Sequence, residues 1–140
     1  MQETITYREA LRSAMHTALE KNPHAIIMGQ GVNEPPRIFG TTKDLMEVFG
    51  EERVMETPLA EEGMTGIALG AALNGLYPIH THIRMDFLIL AMNQIVNLAA
   101  KYKYMYGGSF KVPMLIRAVV GRSWGQGPQH AQNLESWFSH

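Results

Sequence analysis

The sequence predicts an α/β fold: a three-layer sandwich built on a central, mostly parallel sheet. Two observations carry this. Segments of strand and helix character alternate along the chain. The strand segments are short, continuous apolar runs instead of polar–apolar alternations, as expected of strands covered on both faces. The length of 140 residues corresponds to one domain, residues 1–140, with enough chain to bury a core.

Each element follows from its residues. Thr6-Tyr7-Arg8-Glu9 reads as a capping box. Ala10, Leu11, Ala14, Met15, Ala18 and Leu19 then recur at helical spacing until Asn22-Pro23 ends the run. Ala25–Met28 is a short buried strand, followed by a Gly- and Pro-rich loop from Gly29 to Gly40. Thr42–Phe49 reads as a short helix and Arg53–Glu56 as a second strand. Glu62–Asn74 is an apolar, small-sided helix closed by Gly75, and Tyr77–Ile83 is a strand. Phe87–Tyr106 reads as one long helix stopped by Gly107-Gly108. Val112–Val119 is a strand, Gly121–Gly127 a glycine-rich loop and Ala131–Phe138 a last short helix.

Composition narrows the function. A hydrophobic content of 46% and a charged content of 18% describe a globular domain. The formal net charge of -1 favours neither nucleic acid nor an anionic membrane as partner. With no cysteine, disulfides, thiol nucleophiles and thiolate metal sites are excluded. The N-terminal MQETITYREA lacks an apolar signal core, so a cytoplasmic location is expected. Ten methionines fit gap-filling core residues.

In open parallel sheets ligands bind beyond the carboxyl ends of the strands. The loop after Met28, the Thr57–Glu62 turn and the Gly121–His130 loop lie there. Glu61 and Glu62 open a helix that reads as apolar all round. Either carboxylate stabilises the helix dipole. Glu61, at the expected sheet–helix rim, is also placed to share a proton with a ligand. Gly66 and Gly70 share one helix face and fit close packing, since their spacing matches no phosphate-binding motif. His80 and His82 alternate on one strand and face the same way, but no third ligand accompanies them and no metal site is expected. His130 follows a glycine-rich loop and is either a catalytic or a surface histidine. Phe87 and Trp124 are able to stack on a flat ligand. The apolar run Phe87–Met92 points to burial within the domain or against another chain.

Glu56-Thr57-Pro58-Leu59-Ala60-Glu61-Glu62-Gly63, then Gly66-Ile67-Ala68-Leu69-Gly70-Ala71-Ala72, resembles the pyrimidine-binding, transketolase-like domain of the β subunit of thiamine diphosphate-dependent 2-oxo acid dehydrogenases. These include the pyruvate, branched-chain and acetoin types. Gln94-Ile95-Val96-Asn97, Ala99-Ala100-Lys101, Tyr104-Met105-Tyr106-Gly107-Gly108 and Gln129-His130-Ala131-Gln132 match in order, as does Thr6-Tyr7-Arg8-Glu9-Ala10-Leu11.

The resemblance implies the thiamine diphosphate-binding fold and specific roles. Glu61 corresponds to the glutamate that hydrogen-bonds the cofactor's aminopyrimidine and favours the tautomer that activates the thiazolium. Phe87 packs on the pyrimidine, and Leu59 and Ile83 line it. His130 assists substrate or acyl-transfer steps. The reaction implied is decarboxylation of a 2-oxo acid with acyl transfer to a lipoyl group. The diphosphate and its Mg2+ are held by a Gly-Asp-Gly motif on an α subunit, and this chain has no Gly-Asp-Gly. The implied partners are therefore that α subunit and a lipoyl acyltransferase, in an α2β2 assembly or, in isolation, a homo-oligomer. Other outcomes consistent with the residues are acetoin cleavage, a transketolase-type two-carbon transfer, or a non-catalytic interaction module. Ile83-Arg84-Met85-Asp86-Phe87 departs from the commoner family pattern, which bears on the substrate. The family continues into a C-terminal domain that is expected to be absent from residues 1–140.

Overall fold

The computed structural model describes residues 4–122 and 124–139. Four strands, β1 (Ala25–Gly29), β2 (Val54–Glu56), β3 (Tyr77–His82) and β4 (Leu115–Ala118), form one sheet in the order β2-β1-β3-β4. All three pairings are parallel. The α/β expectation is therefore met, with the sheet parallel throughout.

Helices cover both faces. α1 (Tyr7–Lys21) starts at the predicted capping box, where the Thr6 hydroxyl accepts from the Glu9 N–H and the Glu9 carboxylate accepts from the Thr6 N–H. Its Met15 and Leu19 pack on Ala25, Ile27 and Ile79 of one sheet face. α3 (Glu61–Leu73) packs on the other face, where Ala68 meets Ile26 and Met28. β1 thus sends alternate side chains to two layers and is buried throughout, which explains its unbroken apolar sequence.

Five expectations need correction. The second helix, α2, spans only Leu45–Phe49, because residues 41–44 belong to the preceding loop, where buried Thr42 donates to Val32 O and Arg37 O. The long helix is not uniform. It runs as α4 (Met85–Leu88), a 3-10 turn (Ile89–Ala91), a π-helical stretch (Asn93–Ala99) and α5 (Ala100–Met105). The buried residues Met85, Leu88 and Ala91 recur every third position, which matches the 3-10 period and not the α period. The last strand spans only Leu115–Ala118, and the final helix only a 3-10 turn at Glu135–Phe138. Finally, α3 is not buried all round. Thr65, Ala68, Leu69 and Ala72 form a buried stripe, whereas Ile67 is exposed.

The rim at the carboxyl ends of the strands is fixed by close backbone contacts. A Cβ on Gly29 would lie 2.1 Å from Thr81 O on the neighbouring strand, so only glycine fits there. The following loop carries three consecutive left-handed residues, Arg37, Ile38 and Phe39. Such residues cost about 1–2 kcal/mol each. Burial of Val32, Ile38 and Leu45 in the α1-side core offsets that cost. Glu56, at the end of β2, accepts from the N–H groups of Gly31 and Asn33 and ties the loop to the sheet.

Candidate active site

Glu61 is the first residue of α3 and is half-buried. Its Oε1 accepts a hydrogen bond from Gln30 Nε2, at 3.3 Å, in the loop after β1. Its Oε2 has no hydrogen-bond partner among the described residues. The carboxylate therefore stands at the rim where sheet and helix meet, with one oxygen held and one available. Glu62 behaves differently. It is exposed and accepts from Asn93 Nδ2 (3.1 Å) and Gln94 Nε2 (3.4 Å), which makes it a link between α3 and the π-helical stretch. The two acids at the helix head thus have separate tasks.

Phe87 and His130, distant in sequence, are brought together. Their ring centroids lie 5.0 Å apart at 74°, an edge-to-face contact. His130 Nδ1 is buried without a hydrogen-bond partner among the described residues, so it is positioned by packing and its polar atom is uncommitted. Two further contacts tie the same segments. Gln132 donates to Asp86 Oδ1 through its backbone N (3.1 Å) and its Nε2 (3.0 Å), and Arg84 Nη2 donates to Gln126 Oε1 at 2.9 Å. The loop 124–132 is therefore pinned over the Arg84–Phe87 turn at three points.

Ile83 directly follows β3 and faces the loop at Gly31. Its Cδ1 lies 3.3 Å from where a Gly31 Cβ would sit. Leu59 is 80% exposed and joins none of the hydrophobic clusters. Among the sequence candidates, then, Phe87 and His130 touch, Glu61 and Ile83 converge on the Gln30–Gly31 loop, and Leu59 stands apart on the turn before Glu61.

His80 and His82 do share a face, as their spacing predicted, with ring centroids 4.4 Å apart. Among the described residues no group of three acidic or histidine side chains forms a metal cluster. The pair is engaged with Thr65 of α3 instead. The Thr65 hydroxyl lies 3.1 Å from His80 Nε2 and 3.4 Å from His82 Nε2, and 2.7 Å from Glu61 O, while His80 Nδ1 faces Met28 O at 3.2 Å. This polar layer holds the first turn of α3, and hence Glu61, against the sheet. Burial lowers the His80 pKa. Burial and the charge of His80 lower that of His82 to about 3, so both rings are neutral at physiological pH.

Gly66 is close-packed as expected, since a Cβ there would meet Gln94 Oε1 at 3.4 Å. Gly70 is not, having no neighbour within 4 Å of that position. The sequence reading missed Gln30, Glu56 and Gln126. Each is a polar residue in or beside a rim loop, and only the fold shows what it reaches.

Among the described residues no helix is long and apolar enough to cross a membrane. The family model for the pyrimidine-binding domain of transketolase matches residues 3–140. The chain is 41% identical over 138 residues to the pyruvate dehydrogenase E1 component subunit beta of Chaetosphaeridium globosum, covering 99% of this chain and 42% of that protein. It is 40% identical over 136 residues to the mitochondrial subunit beta of Saccharomyces cerevisiae, covering 97% and 37%. For the subunit beta of Rhizobium meliloti the identity is 39% over 137 residues, covering 98% and 30%. The chain thus spans well under half the length of the curated relatives it matches. With a parallel sheet of matching type and this similarity along nearly its whole length, the chain belongs to the transketolase pyrimidine-binding domain family.

Proposed function

We propose that this chain supplies the aminopyrimidine side of a thiamine diphosphate-dependent 2-oxo acid dehydrogenase of the decarboxylating, lipoyl-acylating kind. The observation that carries the reading is Glu61 at the head of α3, with one carboxylate oxygen held by Gln30 and the other open to the rim. The other candidate residues have the chemistry an aminopyrimidine needs. Phe87 offers an aromatic edge and face, Ile83 an apolar wall, and His130 an uncommitted ring nitrogen. Relatives named as pyruvate dehydrogenase subunits support the same reaction class.

When bound, the cofactor supplies a carbon nucleophile for a 2-oxo group. The protein's own part is to hold a proton at Glu61 and to orient a ring against Phe87. The polar layer under α3 fixes Glu61 for this, and the pinned loop 124–132 fixes His130. The sequence has no Gly-Asp-Gly, and the family resemblance places the diphosphate and Mg2+ on an α subunit, so both chains are proposed to form the active site. The lipoyl acyltransferase of a multienzyme complex is the acceptor.

The test uses the full-length chain assembled with its α subunit. Glu61→Gln keeps the shape but cannot exchange the proton. Decarboxylation is expected to fall by about 10²–10⁴-fold with thiamine diphosphate affinity largely retained. Near wild-type turnover overturns the assignment. Tight thiamine diphosphate binding by this chain without an α subunit overturns the shared site.

A further inference from the structure

Arg84 is a cation in an unusual place. It lies two residues beyond the end of β3 and is only 4% exposed. Buried charges are normally matched by an opposite charge. The two ion pairs among the described residues, Arg12–Asp44 and Arg37–Glu47, do not involve it. Asp86, two residues on and also buried, accepts both Gln132 hydrogen bonds at Oδ1 and forms no ion pair with Arg84. The guanidinium carries five N–H donors. One hydrogen bond runs to Gln126 Oε1 and a long one, at 3.4 Å, to Ile83 O, while Nε is buried with no partner among the described residues. Its carbon lies 5.0 Å from the Phe39 ring centroid and 5.5 Å from that of Trp124. These two rings orient the group without neutralising it.

Beside it lies a cavity of about 180 Å³, lined by Phe39, Arg84, Val119, Val120 and Gly121. This cavity sits beyond the carboxyl ends of β3 and β4, the side on which ligands bind in parallel sheets. It is smaller than the roughly 300 Å³ of an ordinary small-molecule pocket. It suits one small acidic group. Arg84 is also covalently continuous with Ile83 and three residues before Phe87, so what it holds lies next to the candidate active site.

We propose that Arg84 is the receptor for a second, non-reacting acidic group on the 2-oxo acid, which makes the substrate class a 2-oxo diacid. The inference rests on the decarboxylase reading above. The held group is not the carboxylate that leaves. As that bond breaks, negative charge moves off the departing carboxylate. A guanidinium bound to it stabilises the ground state more than the transition state and slows the step. A remote acid keeps its charge throughout, so binding it contributes affinity and orientation without that penalty.

Two measurements test this on the full-length chain assembled with the subunits that copurify with it. The first compares kcat/KM of the wild-type enzyme for 2-oxo diacids with that for their ω-monomethyl esters, which lack only the remote charge. A preference for the diacid of about 10²-fold is expected, because a buried group built to pair with an anion rejects its neutral analogue. In R84Q that preference should collapse, mainly through KM, and R84K should restore part of it. The second reads binding without turnover. By calorimetry on the assembled enzyme without cofactor, succinate should bind saturably and succinamide should not, and R84Q should abolish the binding.

Equal kcat/KM for diacid and ester in the wild type overturns the proposal, and needs no variant to fold. So does an R84Q protein of lower melting temperature whose diacid preference is unmoved, since Arg84 would then be a clamp for the loop. Absence of any succinate binding overturns it too, as expected if a partner's carboxylate fills the cavity in the assembly. Saturable succinate binding in a protein that turns over no 2-oxo acid overturns the decarboxylase reading and leaves the anion site standing.

Discussion

β1 and β4 belong to one parallel sheet but live in different environments. All five residues of β1 are buried. None of the four in β4 is: Leu115 is exposed and the rest are half-buried. β1 has partners on both sides and helices on both faces. β4 is an edge strand paired only with β3 among the described residues, and it packs through Ile116 and Ala118 on Met85, Leu88 and Ala91. The contrast separates a sealed scaffold from a working margin. The elements that carry Arg84, Phe87 and His130 all sit on the β4 side. There, polar contacts such as Gln132 to Asp86 add to apolar packing in fixing position.

The sharpest way to break the scaffold is at Gly29. Gly29→Ala places a methyl group 2.1 Å from Thr81 O, in backbone that cannot rotate away. A loss of about 4 kcal/mol is expected, read as a lower denaturation midpoint at unchanged slope. A smaller effect that still contrasts the two strands comes from matched truncations. Ile27→Ala, in fully buried β1, should cost about 3 kcal/mol, whereas Ile116→Ala on β4 should cost about 1 kcal/mol. Equal costs would show that β4 is as tightly packed as β1.

Acid should act on the polar layer between these strands and α3. His82 titrates near 6.5 when unfolded and near 3 when folded, and His80 is shifted in the same direction. The unfolded chain therefore binds more protons below about pH 6.5. The stability these neutral histidines contribute is complete above that pH and is lost as pH falls toward about 3. The slope is up to about 1.4 kcal/mol per pH unit for each histidine. Replacing His82 with Phe should flatten that slope, as measured by denaturation midpoints across the range. The smallest effect is expected far from the margin. Thr6→Ala removes the α1 cap and should cost about 1 kcal/mol while leaving cofactor and substrate affinities unchanged.

Much of the fold was legible because it is written locally. The capping box at Thr6 and Glu9 sets where α1 begins, and the unbroken apolar run at Ala25–Met28 marks a doubly covered strand. The failures have one cause. From Phe87 to Tyr106 no Gly or Pro interrupts the run, so the local pattern gives one helix, but the hydrogen-bond register changes and Met85, Leu88 and Ala91 pack on β4. Val112–Met114 has strand-like residues but no strand partner to bond, so β4 begins at Leu115.

The site divides the same way. Glu61, Phe87 and His130 were identifiable because their neighbours match a family pattern in order and spacing. Gln30, Gln126 and the pairing of Asp86 with Gln132 were not, because those contacts join residues 31, 42 and 46 positions apart. The sequence by itself determined the layers and the parallel sheet, since these follow from nearest-neighbour chemistry and periodicity, whereas its periodicity began α3 at Glu62 and the structure begins it at Glu61. Only the tertiary structure decided that, among the described residues, Glu61 keeps one oxygen open, Phe87 meets His130, and Arg84 is buried without an anion. Burial and charge pairing depend on what the rest of the chain brings near, and no local pattern encodes that.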